Sequence, residues 1–179
     1  PAAVLFARCS WDLVGKAVGL PVNQLLGGAI RDRVAVYATG LYYTKGEMES
    51  GRLLEEARSY VEQGFLGMKT KVGGLSVEAD VERVRALRDA IGPDVHLMID
   101  ANQAFNVTNA VRIAQLLQPV GLTWFEEPVN AQDDRAYAEI RRALPGLAIA
   151  GGENLRTRYE FAPYLLRLSL KVTLQVWSD

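Results

Sequence analysis

One unit recurs along most of this sequence: a short apolar segment of strand length, a polar loop, an amphipathic helical pattern and a turn with glycine or proline. The first five strand candidates begin about 26 to 33 residues apart along the chain. They are residues 34–39, 67–72, 95–100, 121–126, 147–152 and 171–176. Because parallel strands need long crossover connections, strands that alternate with helices predict an α/β fold with a parallel sheet.

Four polar side chains decide between a barrel and an open doubly wound sheet. Asp100 follows Lys71 by 29 residues, Glu126 follows Asp100 by 26, and Glu153 follows Glu126 by 27. Each is placed at the C-terminal end of a strand candidate, and such ends converge on one mouth in a barrel but spread along an edge in an open sheet. No glycine-rich phosphate-binding turn follows the first strand. We therefore predict a partial (β/α)8 barrel of about five to six βα units.

The first 33 residues are predicted to be separate from the barrel. Helical patterns cover residues 3–18 and 21–26, and two helices alone cannot bury both of their faces. We expect residues 1–33 to be the C-terminal end of another domain and residues 34–179 to be an incomplete barrel, because closure takes eight βα units. The tail after about Leu166 departs in character from the expected passage from helix to strand.

Charge and composition limit the partners. The chain has 20 basic and 21 acidic residues and no basic cluster, which argues against nucleic acid and against a membrane surface. No apolar run approaches the roughly 18 residues of a membrane span. The single cysteine, Cys9, excludes an intrachain disulfide and is expected to pack in the core. A cytoplasmic protein that acts on small molecules is the expectation.

Carboxylates from three successive strands predict a divalent cation site. Asp100, Glu126 and Glu153 would form a pocket of oxygen ligands, which favours magnesium, with manganese as the alternative, over zinc. One such carboxylate alone would be interpreted as a helix cap, but one acid per unit at a nearly constant step favours a metal-assisted site. His96 starts its strand at the opposite end and is expected to be structural or exposed.

Two lysines accompany these acids. Lys69 and Lys71 are two residues apart, so they share one face of their strand and are expected to point into the barrel. Partial burial and neighbouring charges are expected to lower the pKa of at least one of them, which would let it act as a base. Glu127 follows Glu126 on the opposite face and is expected to orient the metal ligands.

Several motifs resemble those of the mandelate racemase subgroup of the enolase superfamily. Two stretches near the N-terminus are similar to the passage from that family's capping domain into its barrel, which implies that the last helices of an α+β capping domain precede the barrel. The barrel motifs are Lys69-Thr70-Lys71, Ile99-Asp100-Ala101-Asn102, Trp124-Phe125-Glu126-Glu127-Pro128 and Gly151-Gly152-Glu153-Asn154; the N-terminal stretches are residues 11–16 and 25–28.

The resemblance also implies roles for individual residues. Magnesium would be held by Asp100, Glu126 and Glu153. Lys71 would be the general base on one face of a bound carboxylate substrate, and Lys69 would contact that carboxylate.

Three further side chains receive roles in the same way. Asn102 would contact the substrate or the intermediate. Glu127 and Asn154 would hold the metal ligands in place without touching the metal. The acid or base that the family carries on its later strands cannot be assigned in this chain.

The reaction expected from this resemblance is removal of the proton next to a carboxylate, which creates an enediolate. Expulsion of a β-hydroxyl would then make the protein an acid-sugar dehydratase, and reprotonation on the other face would make it a racemase or epimerase of a 2-hydroxy acid. A third alternative is a catalytically silent fragment, because half of the acid/base set is unassigned. The full-length parent is expected to be a homo-oligomer.

Overall fold

The computed structural model describes residues 2–43 and 51–168. The chain divides into two compact units, residues 1–35 and residues 36–179. This division falls two residues after the predicted boundary. The assignment of the first unit to a capping domain stays a prediction.

Two helices make up the described part of the first unit: α1 spans Ala2–Val18 and α2 spans Val22–Leu25. Gly19 follows α1 with φ of 70°, a backbone conformation that glycine adopts without strain, and the helix ends there. The expectation that Cys9 is a core residue is wrong, because its side chain is exposed. Within this unit α1 packs against the four-residue α2, and Leu13, Val14 and Val18 of α1 are exposed.

Five strands are described in the second unit, and all of them pair in parallel. Their order in the sheet is their order in the sequence, as in a (β/α) barrel and unlike a doubly wound sheet, whose order reverses. The predicted strand at residues 171–176 and most of the tail after Leu166 lie outside the described residues. The strands are β1 Ala38–Thr39, β2 Gly67–Lys71, β3 His96–Asp100, β4 Leu122–Glu126 and β5 Ala148–Ala150.

The strand predicted at residues 34–39 is much shorter in the structure. Ala38 pairs with Met68, so the residues before Tyr37 would lie below Gly67, where β2 begins. Without a partner strand at that level they do not join the ladder, and Val34 and Val36 are exposed.

The helices of the second unit follow the strands as predicted, and side-chain caps fix where several of them begin. Ser76 accepts a hydrogen bond from the Ala79 amide, which caps the helix that follows. Thr157 and Glu160 form a capping box, in which each side chain accepts a hydrogen bond from the other residue's backbone amide. The helices are α3 Gly51–Glu62, α4 Val77–Ile91, α5 Val107–Leu116, α6 Asp134–Ala143 and α7 Arg158–Leu168, with a 3-10 turn at Gln118–Val120.

Alternation along the strands separates an apolar layer from a polar one. Most of the strand residues that face the helices are apolar and buried, and they pack with α4, α5 and α6 into one core. The opposite face of the sheet carries the lysines and carboxylates that the sequence singles out. The strand residues of the core include Met68, Leu97, Ile99, Phe125 and Ile149.

Arg88 of α4 binds backbone carbonyls at the N-terminal end of the sheet. Its guanidinium donates to the carbonyls of Val120 at 2.9 Å, Gly92 at 2.7 Å and Val95 at 2.7 Å. It therefore ties the end of its own helix to the loops that lead into β3 and β4.

We expect replacement of Arg88 by methionine to lower the free energy of unfolding by about 1–3 kcal/mol, because partly buried carbonyls lose their donor. Arg85→Met is the matched control on the same helix, since Arg85 is exposed and donates to the Leu116 carbonyl. It should change stability by about 0.5 kcal/mol or less. Urea unfolding of both variants measures the difference, and equal losses would contradict this role for Arg88.

Across residues 2–43 and 51–168, no helix combines the length and the apolar character needed to cross a membrane.

Candidate active site

The C-terminal ends of three neighbouring strands bring Lys71, Asp100 and Glu126 to one level of the sheet. Each is the last residue of its strand. Lys71 pairs with Asp100, and Asp100 pairs with Glu126. Laterally paired residues of parallel strands point to the same face, so the three side chains share the inner face of the sheet.

A β-bulge in β4 makes this alignment possible. Leu97 pairs with Leu122 and Ile99 pairs with Phe125, so β4 uses one more residue than β3 over the same length. If the same sequence continued from the Leu97–Leu122 pair as a regular ladder without the bulge, Asp100 would lie beside Phe125, and the Glu126 carboxylate would lie one residue higher and on the other face. The bulge therefore places a carboxylate beside Asp100.

The Lys69 ammonium lies between the two carboxylates. Its Nζ is 2.8 Å from Glu126 Oε2 and 3.3 Å from Asp100 Oδ2. All three side chains are almost completely buried, with 1 to 3% of their surface exposed. A buried ammonium shared by two buried carboxylates is a strong electrostatic cluster, because little water screens it.

Lys71 lies at the mouth of the same cluster. Its Nζ is 2.6 Å from Asp100 Oδ2, and 23% of its side chain is exposed. Asp100 also accepts a hydrogen bond from the Asn102 amide on its other oxygen, at 2.9 Å. Lys71 is thus the lysine that a molecule entering from solvent can reach.

The charges of this cluster set the pKa values of its members. Burial by itself would lower the pKa of Lys69, but its hydrogen bond and ion pair with Glu126, together with the charge of Asp100, outweigh burial and raise that pKa. Burial raises the pKa of Glu126, although the bond to Lys69 acts in the opposite direction. Lys69 is therefore not a lysine with a lowered pKa, because two carboxylates hold its proton, and the expectation for at least one of the pair stays a prediction.

Two aromatic rings lie beside the cluster on the inner face. Tyr37 and Trp124 meet edge to face with centroids 5.4 Å apart, and Lys69 Nζ is 5.8 Å from the Tyr37 centroid. Trp124 also donates from Nε1 to Glu126 Oε2 at 3.3 Å. These rings keep water from the inner side of the charges, a role that the sequence analysis did not assign to them.

Glu127 joins the loops that follow three strands. Its carboxylate is fully buried and accepts from Asn154 Nδ2 at 2.9 Å and from Gln103 Nε2 at 3.4 Å. Its backbone amide donates to the Ala150 carbonyl at 3.0 Å. Gln103 in turn accepts a bond from the Ala131 amide at 3.0 Å. Glu127 and Asn154 thus contact each other.

Gln103 is a residue of this network that sequence reasoning missed. It follows Asn102 in the loop after β3, and both have positive φ, 69° and 41°. Two consecutive amide residues directly after a strand-end carboxylate are compatible with such a turn, because asparagine and other polar residues adopt this conformation more readily than most. The Asn102-Gln103 pair was therefore the sequence signal from which this turn could have been predicted.

Two of the predicted site residues lie further out. Asn102 is exposed, and only its backbone amide contacts Asp100. Glu153 is also exposed and follows Gly151 and Gly152 in a turn, because β5 ends at Ala150 and not at residue 152. Their assigned roles stay predictions.

The chemistry of the donor set fits magnesium for two of the three predicted ligands. Asp100 and Glu126 direct carboxylate oxygens toward one shared cation, the Lys69 ammonium, as a pair of metal ligands would toward an ion. Among the described residues, no three or more Asp, Glu, His or Cys side chains lie close enough together to hold a metal ion. His96 is exposed at the start of β3, as expected, and lies 3.3 Å from the Thr123 hydroxyl.

A family model and known proteins match this chain. The model described as enolase C-terminal domain-like matches residues 52–174. An arabinonate dehydratase from Saccharolobus solfataricus is 38% identical over 152 residues, which cover 84% of this chain and 40% of that protein.

Two solved structures are similar as well. A 3,6-anhydro-D-galactonate cycloisomerase from Zobellia galactanivorans is 40% identical with a TM-score of 0.76, over 84% of this chain and 41% of that one. A racemase from Streptomyces coelicolor A3(2) with bound magnesium is 39% identical with a TM-score of 0.71, over 82% of this chain and 39% of that one. The chain thus spans about 40% of the length of these relatives.

Proposed function

The chain belongs to the enolase C-terminal domain-like family, and on that premise we propose that it carries the proton-abstracting half of a magnesium-assisted acid-sugar dehydratase. The observation that supports this most directly is the alignment of Lys71, Asp100 and Glu126 at consecutive strand ends. Lys71 is partly exposed and Lys69 is buried between the carboxylates, so the two lysines suit two different tasks.

Asp100, Glu126 and Glu153 would hold the magnesium ion. When bound, magnesium supplies positive charge next to the substrate carboxylate, where negative charge accumulates during proton removal. Carboxylate oxygens are the ligands that suit this cation, and manganese could replace it on the same ligands. The bound magnesium in the Streptomyces racemase structure supports this part of the proposal.

The two lysines divide the work on the substrate. Lys71 as a neutral amine takes the α-proton, and the electron pair of the broken C–H bond passes into the carboxylate to give an enediolate. Lys69 keeps its proton because of its two carboxylate neighbours, so it acts as a cation toward the substrate carboxylate. Asn102 at the mouth contacts the substrate, while Glu127, bound to Asn154, fixes the loop that carries Glu153.

Dehydration completes the reaction. The enediolate expels the β-hydroxyl, which takes up a proton and leaves as water, and the remaining enol tautomerises to a 2-keto-3-deoxy acid. The arabinonate dehydratase among the relatives supports this outcome over the alternatives. Reprotonation of the enediolate on its other face, as in a racemase of a 2-hydroxy acid, is the second candidate and is supported by the Streptomyces racemase.

The test is isotope exchange in deuterium oxide with a panel of acid sugars and 2-hydroxy acids. The protein expressed from its complete reading frame should incorporate deuterium at the α-carbon or form a 2-keto-3-deoxy acid, and a chelator should stop both. Proton NMR follows α-exchange and product together. An inverted stereocentre would select the racemase, a ring-opened isomer would select a cycloisomerase, and magnesium-independent turnover would contradict the proposed site.

The same assay on residues 1–179 alone tests the alternative that this chain is a catalytically silent fragment. Exchange by the complete reading frame without exchange by this chain would show that the half-site needs residues beyond it. Exchange by neither protein, with both folded by circular dichroism and with every substrate of the panel, would overturn the proposed function.

A further inference from the structure

The last residue of β2 lacks the neighbour that a continuous ladder would give it. Thr39 pairs with Lys69, so the same register would place Leu41 beside Lys71. However, β1 ends at Thr39, and Leu41 has φ of 57°, which turns the chain away from the strand direction. The Lys71 carbonyl therefore has no donor from β1 at the level where the candidate base lies.

A side chain from α4 takes the place of that donor. Arg83 Nη1 donates to the Lys71 carbonyl at 2.7 Å, and its Nη2 donates to the Leu41 carbonyl. The guanidinium thus bridges the two residues that the register would have paired. Thr70 Oγ1 donates to the same Leu41 carbonyl at 2.9 Å, so this carbonyl is bound both by β2 and by α4.

Asp80, one turn earlier on α4, fixes the surroundings of this guanidinium. Its carboxylate is fully buried and accepts from the Tyr43 hydroxyl at 2.5 Å and from the Gly73 amide at 2.6 Å. The Gly74 amide donates to the same hydroxyl at 3.1 Å, and Arg83 lies over the Tyr43 ring at 4.6 Å. The loops after β1 and β2 are therefore tied to one helix.

The hydrogen bonds made by Arg83 and Asp80 differ from ordinary core packing because they bind the backbone next to the candidate base. They bind main-chain atoms of Lys71 and of the loop directly after it, and a lysine side chain can only be as well placed as its own Cα. On the other side of the strand end, the Val72 amide donates to the Asp100 carbonyl at 2.9 Å. The Lys71 backbone is thus fixed toward β3 by the sheet and toward β1 by Arg83.

We propose that Arg83 is a positioning residue for Lys71: its guanidinium replaces the missing β1 to β2 connection, and Asp80 with Tyr43 holds it there. This inference rests on the proposed function for its effect on catalysis. It deepens that function by adding residues on the outer face of the barrel to the machinery that fixes the base.

The test compares Arg83→Met with Arg85→Met, a control two residues away on the same helix whose guanidinium binds the Leu116 carbonyl and contacts no part of β2. In the protein from the complete reading frame, Arg83→Met should lower kcat for α-proton exchange by roughly 10- to 100-fold. KM and magnesium affinity should change far less, because Lys69 and the metal ligands keep their places. Arg83→Lys, which can reach one carbonyl but not bridge two, should fall between these variants.

A second readout does not depend on activity. Amide hydrogen exchange followed by mass spectrometry should become faster in Arg83→Met within residues 41–43 and 71–74, and should stay unchanged there in Arg85→Met. Unchanged local exchange in Arg83→Met, or a kcat equal to that of Arg85→Met, would overturn the proposal. If the wild-type protein exchanges no substrate proton, the proposed function fails, and the hydrogen-exchange comparison alone then decides whether Arg83 fixes the strand end.

Discussion

Replacing Lys71 with methionine is expected to slow α-proton exchange by about 10²- to 10⁴-fold, the usual contribution of a positioned general base. Methionine keeps the length of the side chain but cannot accept the proton. Lys71 is the lysine of the pair that reaches solvent, so it is the one that meets the substrate first. The exchange rate in deuterium oxide at saturating substrate and magnesium measures the effect.

Stability should change little in this variant. The Asp100 carboxylate keeps its contact with Lys69 and its bond from the Asn102 amide, so it is not left without partners. We expect a loss of about 1 kcal/mol or less in the free energy of unfolding. An exchange rate within tenfold of wild type in a folded Lys71→Met protein would exclude Lys71 as the base.

The same change at Lys69 is expected to act mainly on stability, with a loss of about 3–5 kcal/mol. Lys69→Met would leave the carboxylates of Asp100 and Glu126 facing each other in a buried site without the cation between them. Urea unfolding at neutral pH in the absence of divalent cations measures this loss. Lys71→Met is its matched control, because it removes the same charge from the same cluster at a position that water reaches.

Two further observations distinguish this account from a simple loss of packing. Added magnesium should restore part of the stability of Lys69→Met, since a cation can again bind between the carboxylates. In the wild type the folded pKa of Lys69 is raised, so its stabilising contribution is complete below about 10.5 and is lost as the pH rises above that value. Equal losses in both lysine variants, with no effect of magnesium, would contradict the central role of Lys69.

The strand ends could be predicted from the sequence because two simple patterns agree there. Asp100 and Glu126 each end an apolar run of strand length, Lys71 ends a lysine-containing segment of the same length, and the step between the segments is nearly constant. Parallel strands in sequential order then bring consecutive ends together, whatever the details of the loops. The fold class and the meeting of these three residues followed from local pattern and chain topology alone.

The pKa of Lys69 could not be predicted in the same way. Spacing shows that Lys69 and the acids are near one another, but it does not show which lysine is shared by two carboxylates. That depends on how deep each side chain lies, with Lys69 almost completely buried and Lys71 partly exposed. The sign of the shift follows from the balance of burial and ion pairing, which only the distances decide.

The contacts between loops could not be predicted from the sequence either. Gln103 meets Glu127, and Arg83 meets Leu41, across 24 and 42 residues of chain. Such pairs have no periodicity to mark them, and both depend on non-glycine residues with positive φ in the loops. The position of Glu153 could not be predicted for a similar reason. The strand β5 ends at Ala150, and Gly151 and Gly152 separate Glu153 from the strand end.

The extra residue in β4 bears on how this barrel can change over evolutionary time. The loss of one residue between Leu122 and Phe125 would remove the bulge, but a regular ladder continued from the Leu97–Leu122 pair would still place Phe125 beside Ile99 and Glu126 beside Asp100. The loss or gain of one residue between Phe125 and the end of β4 would instead move the carboxylate to the other face of the sheet. Descendants should therefore tolerate a deletion in the bulge more readily than any change of length after Phe125.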